Sequence, residues 1–285
     1  MGSDRLLVGA AVVVVLQVSV ATAWAQGVIL QIRPRVGDTL AVRLDQEVEM
    51  VGVPVGCEMS ARVARPKKAA DRSCADSERS MLTRTEIFSR AIARRSKGSA
   101  MVMLAVTDSI RTATGTSRAT IGRMARLEHP HSPVEIVMAP DGGVELLEEG
   151  ATDELRSVFG QMPATLARKP VAVGEKWTRE MLVPLPREPG ASGRVRAAFR
   201  LDSLGHNGDM AFITMRGELS HSHPNGSDSE TGGSILASIQ LDRRLGWITE
   251  TRATIDVTSI FRGEGGRPMQ VRTHITQLLR AAPAR

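Results

Sequence analysis

The chain has 285 residues, of which 42% are hydrophobic and 3% aromatic, with no Tyr, and its formal net charge is +6. This hydrophobic content supports a folded core and excludes a largely disordered chain, while the lack of repeated long apolar segments excludes a helical membrane bundle. Basic and acidic residues alternate without interleaved aromatic side chains, so we expect no nucleic-acid partner.

Residues 1–25 predict a secretory signal peptide. Arg5 precedes an apolar run that ends at Val20, and Ala23-Trp24-Ala25 forms a small-x-small site that favours cleavage before Gln26. Polar residues interrupt the apolar run, which argues against the alternative of a retained membrane anchor. We therefore expect a periplasmic or secreted bacterial protein that is not an integral membrane protein after cleavage.

Residues 26–150 are predicted to form a first β-unit, because apolar and polar residues alternate along them. An excursion at 57–74 holds the two cysteines, Cys57 and Cys74, which we expect to form a disulfide in an oxidising compartment. The strand candidates are 28–33, 40–51, 81–95, 100–111, 119–128, 134–139 and 144–147.

The hydrophobic period changes after the first unit. Leu155, Val158, Phe159 and Met162 recur at helical spacing behind Thr152, which is a favourable N-cap residue. The pattern predicts one helix between the two halves of the chain.

Residues 151–285 are predicted to contain this helix and a second β-unit. Its strand candidates are 177–183, 193–204, 209–220, 233–242, 247–262 and 269–280. In the strand 247–262, apolar residues share one side and charged residues the other, which indicates one buried face and one wet face. Long strands in consecutive hairpins twist and coil, so we expect a mainly β fold, an antiparallel meander that forms a curved sheet or half-barrel.

The two units begin alike. Val36-Gly37-Asp38 precedes Leu40, and Val173-Gly174-Glu175 precedes Trp177. This repetition predicts an internal duplication whose two copies form one compact domain. The sequence leaves open whether the copies share one sheet.

The second copy carries the pattern Pro-Val-x-x-Gly-[Asp/Glu]-x-Trp in residues 170–177, followed by the hairpin residues Asp242 and Gly246. With these residues the chain resembles a family of uncharacterised exported bacterial β-rich proteins. Its general look is similar to the half-barrel of periplasmic lipoprotein carriers. The resemblance implies a lipid-binding half-barrel, but it supplies no matched binding residues.

A curved sheet with a helix against it would enclose an apolar trough. Flexible methionine side chains suit lipid-like ligands of varied shape, although ordinary core filling is the alternative. The candidate trough residues are Met101, Met103, Met210, Met215, Trp177 and Trp247.

Two His-x-His pairs are the candidate metal ligands: His129 with His131, and His221 with His223. Imidazole pairs suit Zn or Cu, but exposed loop histidines are the simpler interpretation. No Gly-x-Ser-x-Gly elbow or other catalytic signature is found, and no cofactor is expected. The sequence therefore predicts a non-catalytic binding protein for an apolar or lipid-like ligand. The alternatives are an envelope assembly protein that binds another polypeptide and, less favoured, a metal-dependent enzyme.

Overall fold

A computed structural model of the protein describes residues 27–54, 79–127, 133–146, 165–184, 192–222, 230–262 and 268–284. The predicted signal peptide, the cysteine pair Cys57 and Cys74, and the predicted helix that begins after Thr152 lie outside these residues. The described part is almost entirely antiparallel β-sheet, which confirms the predicted fold class. None of its helical turns is long and apolar enough to cross a bilayer.

The described strands are β1 (Thr39–Pro54), β2 (Arg79–Lys97), β3 (Ala100–Gly115), β4 (Ala125–Leu127), β5 (Val134–Met138), β6 (Val144–Leu146), β7 (Lys176–Pro184), β8 (Ser192–Gly205), β9 (Met210–Ser222), β10 (Glu230–Asp242), β11 (Trp247–Arg262) and β12 (Pro268–Pro283). They form one sheet in the order β6-β5-β3-β2-β1-β12-β11-β10-β9-β8-β7, and β4 pairs with β3. Within the described ranges β6 and β7 do not pair, so the sheet is open.

The two halves of the chain meet at the seam between β1 and β12. These strands pair antiparallel along their whole length, from Leu40 opposite Pro283 to Pro54 opposite Met269. The seam makes one continuous sheet of the two β-units, which answers the question that the sequence leaves open.

The main apolar cluster lies on one face of the sheet. Alternate residues of β8, such as Val195, Phe199 and Leu201, are fully buried on this face, as expected for a period of two. The chain segments 27–38 and 165–171 lie against the same face and add Leu30 and Leu166 to the cluster. This face is therefore a packed core rather than an open trough where these segments cover it.

Segment 27–38 is not the strand that the sequence predicts at 28–33. Val28 makes an isolated bridge with Val171, while the N–H of Ile32 donates to the carbonyl of Pro140 and that of Arg33 to the carbonyl of Gly246, both at 2.8 Å. Its backbone partners belong to separate turns instead of one neighbouring strand, so no ladder forms. The predicted strand 119–128 is likewise reduced to the three residues of β4.

The two outer parts of the sheet meet at one end. The carbonyl of Asp141, in the turn between β5 and β6, accepts the N–H groups of Thr165 at 2.9 Å and Leu166 at 3.0 Å. The carboxylate of Asp141 contacts Arg168 at 2.9 Å and Arg179 of β7 at 3.6 Å. These bonds bring β5–β6 and β7 together and fix the curvature of the sheet.

The repeated Val-Gly-acid motifs form the same turn. Gly37 and Gly174 have φ values of 95° and 87°, which glycine adopts without the steric cost of a Cβ. In the first turn the side chain of Asp38 accepts the N–H of the residue three positions earlier at 2.9 Å, and Glu175 does the same in the second turn at 2.8 Å. The two motifs thus build one local structure twice.

Candidate ligand-binding groove

A groove with a volume of about 1170 Å³ crosses the face of the sheet opposite the core. It runs across the strands from β2 to β7 and is built from two rows of cross-strand neighbours. The first row consists of Glu86, Asp45, Leu278, Arg252, Ser238, Thr214, Arg200 and Lys176. The second row consists of Arg84, Glu47, Thr276, Thr254, Leu236, Arg216 and Ala198.

The alternation of β11 shows why these side chains share one face. Successive residues of a strand point to opposite sides, so Arg252 and Thr254 face the groove while Ala253 and Ile255 face the apolar side. The same period of two places charged residues of β1, β2, β8 and β9 in the rows. The groove is therefore the wet face that the sequence pattern predicts, folded into a concave surface.

The end of the groove at β1 and β2 is a network of paired charges. Glu47 accepts from Arg84 at 2.7 Å and from Arg118 at 2.8 Å. The hydrogen bond from Arg84 is the largest effect that lowers the pKa of Glu47, Arg118 lowers it further, and partial burial opposes both. Asp45 and Glu86 share the guanidinium of Arg43, at 2.9 and 3.4 Å. Each acid that lines this end is thus neutralised by an arginine.

A second paired cluster lies beside the middle of the groove. Glu250 of β11 contacts Arg252 at 2.8 Å and Arg280 of β12 at 3.3 Å. The hydrogen bond from Arg252 lowers the pKa of Glu250 most, with a smaller contribution from Arg280. The groove's arginines here are already held by a carboxylate.

The end of the groove at β7 to β9 has a different charge pattern. Its lining side chains include the cations Lys176, Arg200 and Arg216 and no acid. Arg200 contacts Asp202, two residues along the same strand, at 2.5 Å. Among the described residues, Lys176 and Arg216 have no ion-pair partner. This end therefore carries excess positive charge.

Apolar side chains lie between the two charged ends. Leu236 of β10 is 55% exposed and Leu278 of β12 is half-buried. Met124, in the loop before β4, also borders the groove. The floor is thus amphipathic, since one exposed and one half-buried leucine lie within rows of charged and hydroxyl side chains.

Most residues predicted to line an apolar trough lie in the packed core. Met101, Met103, Met215 and Trp247 are 4%, 0%, 8% and 8% exposed, and of these Met215 also borders the groove. Met210 lies at the first position of β9, beside the turn that follows β8, and is half-buried outside the core cluster. Met101, Met103, Met215 and Trp247 belong to one core cluster, against which Trp177 also packs.

Trp177 is anchored rather than free. Its ring stacks on Phe199 with a centroid distance of 5.6 Å and an interplanar angle of 9°, and its indole N–H donates to the carbonyl of Thr165 at 2.9 Å. Trp177 therefore fastens segment 165–171 to the core.

The metal candidates are not assembled within the described residues. His221 lies near the end of β9, opposite Thr231, while His129, His131 and His223 are outside the described ranges. In the described part of the chain, no group of three or more His, Cys, Asp or Glu residues is arranged to hold a metal ion.

Comparison with known proteins adds structural likenesses only. No family model and no curated protein matches the sequence. Lipovitellin, in a structure that describes its lipid–protein interactions, is similar with a TM-score of 0.44 and 8% identity over 89% of this chain and 26% of its own. An outer membrane channel from Pseudomonas putida F1 has a TM-score of 0.26 and 8% identity over 89% of this chain and 98% of its own.

A third similar structure is OprB of Pseudomonas putida at low pH, with a TM-score of 0.24 and 9% identity over 85% of this chain and 92% of its own. This protein spans about a quarter of the lipovitellin chain, since the match covers 26% of it. The candidate function rests on the groove and not on these likenesses.

Proposed function

We propose that this protein is an exported, non-catalytic binding protein that holds a lipid-like, amphipathic ligand in the groove. The observation that carries the proposal is the groove itself, a concave surface of about 1170 Å³ with an exposed leucine on its floor. Small-molecule sites usually have volumes of about 300–1,000 Å³, so the groove suits a large, elongated ligand.

The amphipathic lining selects the kind of ligand. A wholly apolar ligand would desolvate the arginines and carboxylates of the two rows, which is costly for charged groups. A fully polar ligand would gain little from covering Leu236 and Leu278. A molecule with a charged head and an apolar chain satisfies both kinds of surface. The aliphatic stems of the arginine side chains can pack along such a chain while their guanidinium groups stay in polar surroundings.

The proposed location in the cell envelope rests on the predicted signal peptide. Residues 1–25 have the charged start, apolar run and small-x-small site of a signal peptide, which supports a role in the bacterial envelope. An envelope protein meets acidic lipids at the membrane surfaces on either side of the periplasm. A carrier or binding role in the periplasm agrees with both the predicted signal peptide and the groove.

Native mass spectrometry of the mature, purified protein tests the proposal. We expect a lipid-sized adduct that dissociates on activation, and we expect Leu236→Asp to reduce it strongly. Leu127→Asp is the matched control, because Leu127 is 43% exposed in β4 and does not line the groove. A mature protein without any adduct that also fails to bind added lipid would overturn the proposal.

A second candidate function is supported by the free edge of β7. Within the described residues, β7 pairs only with β8, so nine residues present one row of unpaired backbone groups. Exposed edges of this kind accept an added strand from another polypeptide. The protein would then act in envelope assembly.

One variant distinguishes the two candidate functions, lipid binding and envelope assembly. Thr178→Pro puts a residue without a backbone N–H in the edge strand, which blocks strand addition at this position. Loss of a polypeptide captured from envelope extracts, with an unchanged lipid adduct, would favour the assembly role. Circular dichroism of the variant controls for unfolding.

A further inference from the structure

We infer that Lys176, Arg200 and Arg216 form a subsite for a phosphate-monoester headgroup at the β7–β9 end of the groove. The inference rests on the proposed function and deepens it, because it names the chemical class of the ligand. A phosphate-bearing lipid would place its headgroup here and its apolar chain along the groove.

The strand register places the three cations close together. Lys176 of β7 lies directly opposite Arg200 of β8. Arg216 of β9 lies opposite Ala198, one row further along β8. Neighbouring strands are about 4.8 Å apart, so the three Cα atoms fall within roughly 12 Å of one another. Their long side chains can converge on one anion of the size of a phosphate group.

The charge balance of the groove singles out this end. The acids that line the groove all lie at the β1–β2 end, where arginines bind them. At the β7–β9 end Asp202 contacts Arg200, while Glu180 of β7 and Glu218 of β9 lie on the same face outside the groove lining, both opposite Arg196 of β8. Like charges directly opposite on neighbouring strands destabilise a sheet. An anion bound between Lys176 and Arg200 removes this repulsion, which makes the site complementary to negative charge.

The types of side chain favour phosphate. An arginine guanidinium presents two parallel N–H donors that match phosphate oxygens, and lysine adds a mobile point charge. A phosphate monoester has three terminal oxygens, enough for contacts to three separate cations, whereas a carboxylate has two. The arrangement therefore suits a phosphate monoester better than a phosphodiester or a fatty-acid carboxylate, which each have two such oxygens.

The neighbouring leucine connects the subsite to the apolar floor. Leu236 of β10 lies directly opposite Arg216 of β9 and is 55% exposed. A chain attached to the bound phosphate would pass over Leu236 and continue towards Leu278 of β12. This continuity distinguishes a lipid phosphate from free phosphate, which would use the cations alone.

The test measures binding of the full mature chain to three probes by isothermal titration calorimetry. The probes are dihexanoyl phosphatidic acid, dihexanoyl phosphatidylcholine and inorganic phosphate. The variant is Lys176→Gln with Arg216→Gln. Its matched control is Lys97→Gln with Arg94→Gln, which removes the same charges at exposed positions of β2 outside the groove.

We expect the wild type to bind phosphatidic acid at least about tenfold more tightly than either other probe. The groove variant should lose at least about tenfold in affinity for phosphatidic acid, as expected when charge-assisted hydrogen bonds are removed, while its binding of phosphatidylcholine stays unchanged. The control pair should bind phosphatidic acid within about twofold of the wild type.

Other outcomes overturn the inference in distinguishable ways. If both variant pairs lose affinity equally, net charge and not the subsite attracts the ligand. If inorganic phosphate binds as tightly as phosphatidic acid, the cations form a free-phosphate site without a lipid chain. If the groove variant binds both lipids as the wild type does, the subsite is refuted and the proposed function stands. If the wild type binds neither lipid, the proposed function fails as well.

Discussion

Asp141 and Arg179 join opposite parts of the sheet. Asp141 lies in the turn between β5 and β6, near one end of the strand order, and Arg179 lies in β7 at the other end. Their carboxylate and guanidinium are 3.6 Å apart, and the two side chains are 10% and 18% exposed. Arg179 also donates to the carbonyl of Leu166 at 2.5 Å. This ion pair acts together with the contact of Asp141 to Arg168 at 2.9 Å and its backbone hydrogen bonds to Thr165 and Leu166, which join the same two parts of the sheet.

Replacement of Asp141 by Asn should weaken this closure. The amide keeps the shape of the side chain but leaves the guanidinium of Arg179 without its counter-charge, so we expect a loss of about 2 kcal/mol in the free energy of unfolding. Urea denaturation measures the loss. Asp256→Asn is the control, because Asp256 is 62% exposed and pairs with His274 at the surface. Equal losses for the two variants would contradict a special role for Asp141.

Replacement by alanine should destabilise the protein to different extents at two glycines that have the same backbone conformation. Gly246 and Gly98 have φ values of 64° and 63°. A Cβ on Gly246 would approach the carbonyl oxygen of Arg33 to 2.3 Å, whereas a Cβ on Gly98 meets nothing within 4 Å. Gly98→Ala should cost about 1 kcal/mol from backbone strain alone.

Gly246→Ala should cost at least about 2 kcal/mol more, because segment 27–38 must move away from the sheet. Thermal unfolding of the two variants checks the difference. Similar losses would show that the close approach of Arg33 does not stabilise the fold.

Replacing two phenylalanines by alanine should reduce the free energy of unfolding by different amounts, because the two side chains lie on opposite faces of the sheet. Phe199 is 1% exposed and stacks on Trp177, so Phe199→Ala should lose about 3–5 kcal/mol of unfolding free energy. Phe88 lies half-buried between the guanidinium groups of Arg43 and Arg111, at 5.2 and 5.4 Å. Phe88→Ala should lose about 1–2 kcal/mol, from cation–π contacts and partial burial. A larger loss for Phe88 would show that the groove face carries the core.

The paired carboxylates should make stability fall in acid. The pKa values of Glu47 and Glu250 are lowered from 4.5 by their arginine partners. A carboxylate whose folded pKa is depressed contributes stability above its unfolded pKa and loses it as the pH falls through the folded value. We therefore expect a loss that begins near pH 4.5 and grows below it. Each exposed pair should contribute less than about 1 kcal/mol.

Denaturation of the double variant Glu47→Gln with Glu250→Gln measures this dependence. Between pH 5 and pH 3 the free energy of unfolding of the variant should fall by about 1 kcal/mol less than that of the wild type. Glu180→Gln is the control, since Glu180 has no ion-pair partner among the described residues. An unchanged slope in the double variant would contradict the assignment.

The strands were predictable because their residues alternate with a period of two. Trp247–Arg262, for example, has the bounds that the alternation predicts, and its wet and apolar sides are those of the sequence pattern. The strand predicted at 28–33 does not form, because apolar residues such as Leu30 and Ile32, which fill one end of the core, have the same pattern as a short strand. Its hydrogen bonds go to Pro140 and Gly246, which are distant in the chain and leave no local signal.

The site was harder to predict than the fold. Both sides of the strand that holds Met103 are apolar, so alternation does not tell which face of the sheet is covered and which becomes concave. The buried face received segments 27–38 and 165–171, so Met103 became core. The groove arose on the charged face, where no acid lines the β7–β9 end beside its cations. That imbalance depends on register, which a single sequence does not provide.

The seam between β1 and β12 also constrains how the protein is made. Leu40 pairs with Pro283, so the middle of the sheet joins the first and the last of the described strands. Each half can form its hairpins as it emerges, but the seam must wait until β12 has been synthesised, and such distant pairings form slowly. Until then the facing edges of β1 and β11 are unpaired and exposed to aggregation. A newly made chain therefore needs protection during this interval more than the finished protein does.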